Sequence, residues 1–253
     1  MPGQVAAIIA AAGSGVRFGA DVPKALIQLG NRTLIEHAVA AISPAVDQVI
    51  VTAPASHLRQ FQSLLGDAVT VVVGGQTRSE SIRAGLAAVS SDTKFVLIHD
   101  AARALASTAL AKHILSALQS GEVAVIPGLP QIDTIKNVDA NGYVTTTPNR
   151  ADLRSIQTPQ GFELSALKKA HATSGEGTDD AALVESAGFK VLVIEGEERA
   201  LKITTPSDLA TEGFGCVSIK IPSAPTSIAI VASLGAPIPA SIITGIFAFS
   251  IMI

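Results

Sequence analysis

Six short aliphatic runs, separated by segments patterned as helices, constrain this chain more than any other feature. They are VAAIIAAA from Val5, VIVTA from Val49, VTVVVGG from Val69, FVLIHDA from Phe95, VAVIPG from Val123 and VLVIEG from Val191. A strand inside a parallel sheet is covered on both faces, so it reads as apolar without alternation, and each return to the next strand needs a crossover helix. Thr33 to Ile42, Ser56 to Leu65, Ser79 to Val89, Ser107 to Leu118 and Thr178 to Ala187 supply the crossovers. Right-handed connections then give a three-layer α/β domain, a mostly parallel sheet of buried strands with helices on both faces.

Between Asp133 and Gln157 the pattern changes. TIKNVDANGYVTTT alternates around Asn141-Gly142, a type I′ hairpin signal, so residues 133–157 read as a projecting β-arm. Two isolated strands bury little, so the arm is expected to pack on the second subunit of a homodimer. The last 33 residues, Ile221 to Ile253, carry no charge. Prolines 222, 225, 237 and 239 interrupt this stretch, and its closing run from Ile242 spans only 12 residues, too few to cross a bilayer. Residues 1–212 are therefore read as the functional domain and 213–253 as an apolar tail, packed on the body or poorly ordered, with membrane contact as the alternative.

Composition narrows the partners. A chain of 253 residues that is 48% hydrophobic and 15% charged is not a disordered one. Its net charge of -3 gives no whole-molecule attraction to nucleic acid, so an anionic partner has to be met by a local cluster of cations. Cys216 is alone, and the histidines show no His-x-x-x-His spacing, which argues against disulfides and a dedicated transition-metal site. The opening MPGQVAAIIAAAGSG lacks the basic start of a signal peptide, and a cytoplasmic location is expected.

The first run leads into Ala10-Ala11-Ala12-Gly13-Ser14-Gly15-Val16-Arg17-Phe18-Gly19, with Pro23-Lys24 behind it. Glycines there let backbone N–H groups approach phosphate oxygens. The dinucleotide motif G-x-G-x-x-G fails because position 18 is Phe, and the second strand ends Val51-Thr52-Ala53-Pro54 with no acid for a ribose. A Walker A motif fails too, since no Lys-Ser or Lys-Thr follows Gly19. What remains is a glycine turn with two cations, Arg17 and Lys24, open to a phosphate-binding reading or to a plain tight turn with solvated cations.

The fourth run ends His99-Asp100-Ala101-Ala102-Arg103. Ligands of open parallel sheets sit at the carboxyl ends of strands, so Asp100 could hold a ribose hydroxyl or a magnesium ion, or simply cap a helix. His99 reads as structural, with a satisfied ring. Thr178-Asp179-Asp180 reads as a helix start with Thr178 as N-cap, and Thr205-Pro206-Ser207-Asp208 as another with proline at the first helical position.

These segments, with Gly74-Gly75 followed by Arg78 and Ser81, Asp133-Thr134 with Lys136, Asn149-Arg150, Thr158-Pro159-Gln160 and Leu201-Lys202-Ile203-Thr204, run in the same order as the motifs of a known family. From Val5 to about Glu212 the chain closely resembles the 2-C-methyl-D-erythritol 4-phosphate cytidylyltransferase family. The resemblance implies a Rossmann-like nucleotidyltransferase fold and transfer of a cytidylyl group from CTP to a sugar-alcohol phosphate, with Mg2+ required and a homodimer built through the arm. By matching motif, Arg17, Lys24, Arg150 and Lys202 would be catalytic. Ala11, Ala12, Gly13, Ser14, Gly15, Gly75, Ser81, Asp100 and Ala101 would hold the nucleotide, with Asp100 or the CTP phosphates taking the metal. Arg103, Thr134, Thr158 and Thr178 would contact the second substrate.

Two departures stand out. Ala104 follows H-D-A-A-R where the family usually has proline, which loosens the turn holding Arg103. Gly213 and Gly215 should end the terminal helix early, ahead of the charge-free tail. The rival readings are a cytidylyltransferase for another polyol phosphate such as ribitol 5-phosphate, a nicotinamide-binding oxidoreductase, and a catalytically dead, tail-anchored binding protein.

Overall fold

The computed structural model describes residues 4–13, 22–173, 177–205, 208, 217–218 and 229–230. Arg17, Ser14, Gly15, the Gly213 and Gly215 helix stop, and nearly all of the apolar tail lie outside them. The strands are β1 (Gln4–Ala10), β2 (Gln28–Leu29), β3 (Arg32–Thr33), β4 (Gln48–Ala53), β5 (Thr70–Val73), β6 (Thr93–Asp100), β7 (Ala124–Pro130), β8 (Asn137–Val138), β9 (Val144–Thr146), β10 (Arg154–Ile156), β11 (Gln160–Glu163), β12 (Leu192–Glu195), β13 (Val217–Ser218) and β14 (Ala229–Ile230). The helices are α1 (Leu34–Ile42), α2 (Leu58–Leu65), α3 (Arg78–Ala87), α4 (Thr108–Gln119), α5 (Leu164–Thr173) and α6 (Asp180–Ser186).

The main sheet runs β5-β4-β1-β6-β11-β7, with β10 and β12 also paired to β7. The pairs β1–β4, β1–β6, β4–β5 and β7–β12 are parallel. The short β11 runs antiparallel between β6 and β7, a strand that the sequence reading did not include. Successive side chains of a strand point to opposite faces, and here both faces are apolar. Ala7, Ile9, Val51 and Leu97 pack with α1 and α4 through Ile35, Ile42, Ile114 and Leu118. Ile8, Ile50, Val96, Ile98 and Phe162 pack with α3, α5 and α6 through Ile82, Leu167 and Val184. The three-layer arrangement expected from the unbroken runs is therefore present. The expectation that all six strands are buried holds for β1, β4, β6 and most of β7. It fails for β5 and β12, whose residues are half-buried or exposed because each has only one partner strand.

Helix starts follow from local chemistry. Thr33 and Thr77 form full capping boxes with Glu36 and Glu80, and Ser107 caps α4. Asp179, not Thr178, caps α6: its carboxylate accepts from the Ala182 N–H at 2.9 Å, so Thr178 lies one residue outside the helix cap. Further along, the Asp208 carboxylate accepts from the N–H groups of Thr204 and Thr205, half of the cap expected there; Pro206 and Ser207 are outside the described residues.

The arm is present with a different turn. β8 and β9 pair, but the loop between them, closed by the Asp139 N–H donating to the Tyr143 carbonyl, spans the three residues Ala140 to Gly142 instead of a two-residue type I′ turn. The Asp139 carboxylate accepts from the N–H groups of Asn141 and Tyr143, and Gly142 takes the left-handed conformation at φ +87 that closes the loop. Residues 154–156, at the end of the expected arm, belong to the main sheet as β10.

Candidate active site

Strand order reverses at β1: β4 and β5 lie to one side of it and β6 to the other. Ligands of open α/β sheets bind outside the strand carboxyl ends at such a switch point. A cleft of about 380 Å³ opens there, lined among others by Ala11, Ala12, Gly13, Lys24, Gly75, Ser81, Asp100, Ala101 and Lys202. Every one of these was singled out from sequence. The loops meet because glycine permits it: a Cβ on Gly74 would lie 2.6 Å from the Ala12 Cβ, and one on Gly75 would lie 2.1 Å from the Glu80 Cβ. The Gly75 N–H donates to Ser81 Oγ at 3.1 Å, and that hydroxyl donates to the Thr77 carbonyl at 2.9 Å.

Asp100 ends β6 as the carboxylate of the cleft. Arg78 Nε lies 3.3 Å from its Oδ1 and Lys202 Nζ 2.8 Å from its Oδ2. Burial alone would push the Asp100 carboxyl up, but Arg78 and Lys202 outweigh burial and hold it well below the usual carboxylate range. It is ionised at neutral pH. Behind it, Thr158 Oγ1 accepts from the Asp100 N–H at 3.1 Å and lies 3.0 Å from His99 Nδ1. The other ring nitrogen, Nε2, makes no hydrogen bond of normal geometry. His99 is thus buried and held through Nδ1, as a structural residue would be.

Burial lowers the His99 imidazole to about 4, so it is neutral and takes no part in charge balance at pH 7. An unfolded histidine gains its proton near 6.5, so the unfolded chain binds more protons between that value and 4. Stability present above pH 6.5 is therefore expected to fall by about 3 kcal/mol on acidification to pH 4, seen as a descending Tm. His99→Gln should flatten the descent, and an unchanged slope in that variant would refute the assignment. Asp100 acts in a separate window: its pKa is depressed, so its contribution persists above the ordinary 3.8 and is lost only below it.

The remaining predicted residues among those described, Arg103, Thr134, Arg150, Thr158 and Thr178, do not line the cleft. Arg103 donates from its two terminal nitrogens to the carbonyls of Ala200 at 2.7 Å and Ile156 at 3.0 Å, tying the Lys202 segment to the base of the arm. The turn that precedes Ala104 is nonetheless closed, with the Arg103 N–H donating to the Asp100 carbonyl, and Ala104 is buried beside Ile27, Leu34 and Ile203. Arg150 sits on the arm, donating to the Ile132 carbonyl at 2.9 Å, and Thr134 is exposed there too. Thr178 is exposed at the start of α6. Conversely Gln76, Thr77, Arg78 and Thr204 line the cleft without having been assigned a role from sequence. Arg78 stood in a quoted motif, but its partners are set by folding.

The profile of the 2-C-methyl-D-erythritol 4-phosphate cytidylyltransferase family matches residues 5–215. The chain belongs to that family. A cytidylyltransferase of this name from Rhodococcus opacus is 50% identical over 210 residues, covering 82% of this chain and 92% of the relative. The crystal structure of the 2-C-methyl-D-erythritol 4-phosphate cytidylyltransferase from Thermus thermophilus superposes with a TM-score of 0.70 at 36% identity, covering 81% of this chain and 95% of that one. The 4-diphosphocytidyl-2C-methyl-D-erythritol synthase from Anaerococcus prevotii gives 0.73 at 31% identity, covering 83% and 96%. Membership of this cytidylyltransferase family retires the oxidoreductase and the dead binding protein as readings. Among the described residues no helix is long and apolar enough to cross a membrane.

Proposed function

We propose that this chain transfers a cytidylyl group from CTP to 2-C-methyl-D-erythritol 4-phosphate, giving 4-diphosphocytidyl-2-C-methyl-D-erythritol and pyrophosphate in non-mevalonate isoprenoid synthesis. The observation that carries the reading is the convergence of Lys24, Arg78 and Lys202 on one cleft beside Asp100 and two glycine loops, in a chain half identical to enzymes of that name. An oxygen of the substrate phosphate attacks the α-phosphorus of CTP, a P–O bond forms, and the bond to the bridging oxygen breaks with its electron pair leaving on pyrophosphate. The attacking monoester is already anionic near neutral pH, so no general base is required; the barrier lies in bringing two anions together.

The roles follow from that barrier. Lys24, with Arg17 on the glycine turn, neutralises the CTP phosphates, while Ala11 to Gly15, Gly75, Ser81 and Ala101 hold the nucleotide. Lys202 leaves Asp100 to hold the attacking phosphate. Magnesium fits a site with one carboxylate, since it is commonly held by one or two carboxylates plus substrate phosphates, and Asp100 would supply that ligand. When bound, the ion would neutralise phosphate charge. Thr178 would contact the sugar alcohol, with Thr158 and Arg103 supporting Asp100 and Lys202 from behind.

The arm supports a homodimer. Ile132 is 82% exposed and Tyr143 75%, with Val138 and Val144 also open, an apolar surface that a second subunit would cover. Arg150 and Thr134 would then reach the partner's cleft. Residues 1–212 are read as the catalytic unit, supported by a family match that stops at residue 215, in an enzyme of the cytoplasm.

The test is pyrophosphate release with CTP, offering methylerythritol phosphate and ribitol 5-phosphate in parallel. We expect a strong preference for methylerythritol phosphate and near loss of turnover in Lys24→Ala. Equal rates in wild type and Lys24→Ala would defeat the assignment.

A further inference from the structure

We propose that Asp180, backed by His171, is a positioning residue of this site, which sets Arg78 across Asp100. The inference rests on the cytidylyltransferase reading above and adds Asp180 and His171 to it. Arg78 is the first residue of α3 and uses its guanidinium in two directions: Nε lies 3.3 Å from Asp100 Oδ1, and a terminal nitrogen lies 2.7 Å from Asp180 Oδ2. Asp180 is fully buried as the first residue of α6, and its other oxygen lies 2.9 Å from Nε2 of His171, itself buried on α5. One carboxylate beneath the cleft thus joins three helices. The acids of Thr178-Asp179-Asp180 divide the work: Asp179 caps α6 and accepts from Gln160 Nε2 at 2.9 Å, while Asp180 turns inward to Arg78.

A planar guanidinium can span two carboxylates in fixed geometry; an ammonium, a single point charge, cannot. Burial would lower the Arg78 guanidinium, but Asp180 and Asp100 outweigh burial and push it up, so it remains charged. The pairing also orders Asp100. With Arg78 fixed on Oδ1, the carboxylate presents Oδ2 to Lys202, the oxygen that a nucleotide-borne cation or a ribose would meet. Among Arg78, Lys202, Asp100 and Asp180 the formal charges cancel.

That balance separates positioning from mere charge. Removing the Asp180 charge makes the cleft more positive, so a purely electrostatic role predicts tighter CTP binding with kcat preserved. Positioning predicts the reverse: a lower kcat with KM for CTP little changed. The experiment is steady-state kinetics of full-length Asp180→Asn and Arg78→Lys beside thermal melts. Each variant should lose roughly 100-fold in kcat, the scale on which misplacing a site group by about 1 Å acts. Arg78→Lys keeps the charge and sits at a partly exposed helix start, so it decides the matter alone if Asp180→Asn fails to fold. Arg78→Lys turning over at the wild-type rate would overturn the proposal, as would Asp180→Asn with unchanged kcat and lowered KM. Failure of the wild-type enzyme to release pyrophosphate would instead sink the functional reading.

Discussion

Lys202→Ala is expected to lower kcat/KM for cytidylyl transfer by roughly ten- to more than a hundredfold, because a charge-assisted contact of about 1.5 to 3 kcal/mol is lost where two anions must meet. The fold should barely notice. The Lys202 side chain is 48% exposed, and an ion pair so open to water contributes about 0 to 1 kcal/mol to stability. The diagnostic result is therefore a collapse of pyrophosphate release with an unchanged melting temperature. Turnover within a few per cent of wild type would remove Lys202 from the mechanism, and a large drop in Tm would show that its tie to Asp100 is mainly structural.

Phe162→Ala is expected to have the opposite signature, costing about 3 to 5 kcal/mol in stability as a large cavity opens in the core. Phe162 is completely buried on β11, opposite Val96 of β6 and Ala124 of β7, in the cluster that also contains Ile8 and Leu167. Against a total of about 5 to 15 kcal/mol for a typical domain, this is a large fraction. Urea unfolding should show the midpoint displaced far to lower denaturant with kcat retained in whatever fraction stays folded. A shift of under about 1 kcal/mol would mean that the space around Phe162 collapses freely.

The same strand shows where sequence reading stops. Gln160-Gly161-Phe162-Glu163 is four residues of mixed polarity, with no aliphatic run, yet it fills the gap between β6 and β7. It fits because Gly161 lets Ile114 and Leu118 of α4 close over it: a Cβ there would lie 2.3 Å from the Ile114 Cγ2. Nothing local announces that. The glycine turn with Lys24, and Asp100 at the end of β6, were legible from the residues themselves, whereas Gly75, Ser81 and Lys202 were legible through the ordered motifs that the chain shares with its family. Arg103 and Thr158 were legible as polar residues near the site, but not as groups whose bonds are taken by the protein itself. The pair of Arg78 and Asp180 joins positions over a hundred apart in the chain.

By itself the sequence determined the α/β class, the central strands, most helix starts and the strand-end loops that form the cleft. Those depend on side-chain periodicity and on capping groups a few residues away, interactions whose partners are fixed by chain connectivity. Only the tertiary structure decided that β11 runs antiparallel inside the sheet, that β5 and β12 are edges, and that Asp180 and His171 stand beneath Arg78. Such choices come from burial: a polar group removed from water takes whatever partner the packing brings within reach, and that partner has no fixed distance along the chain.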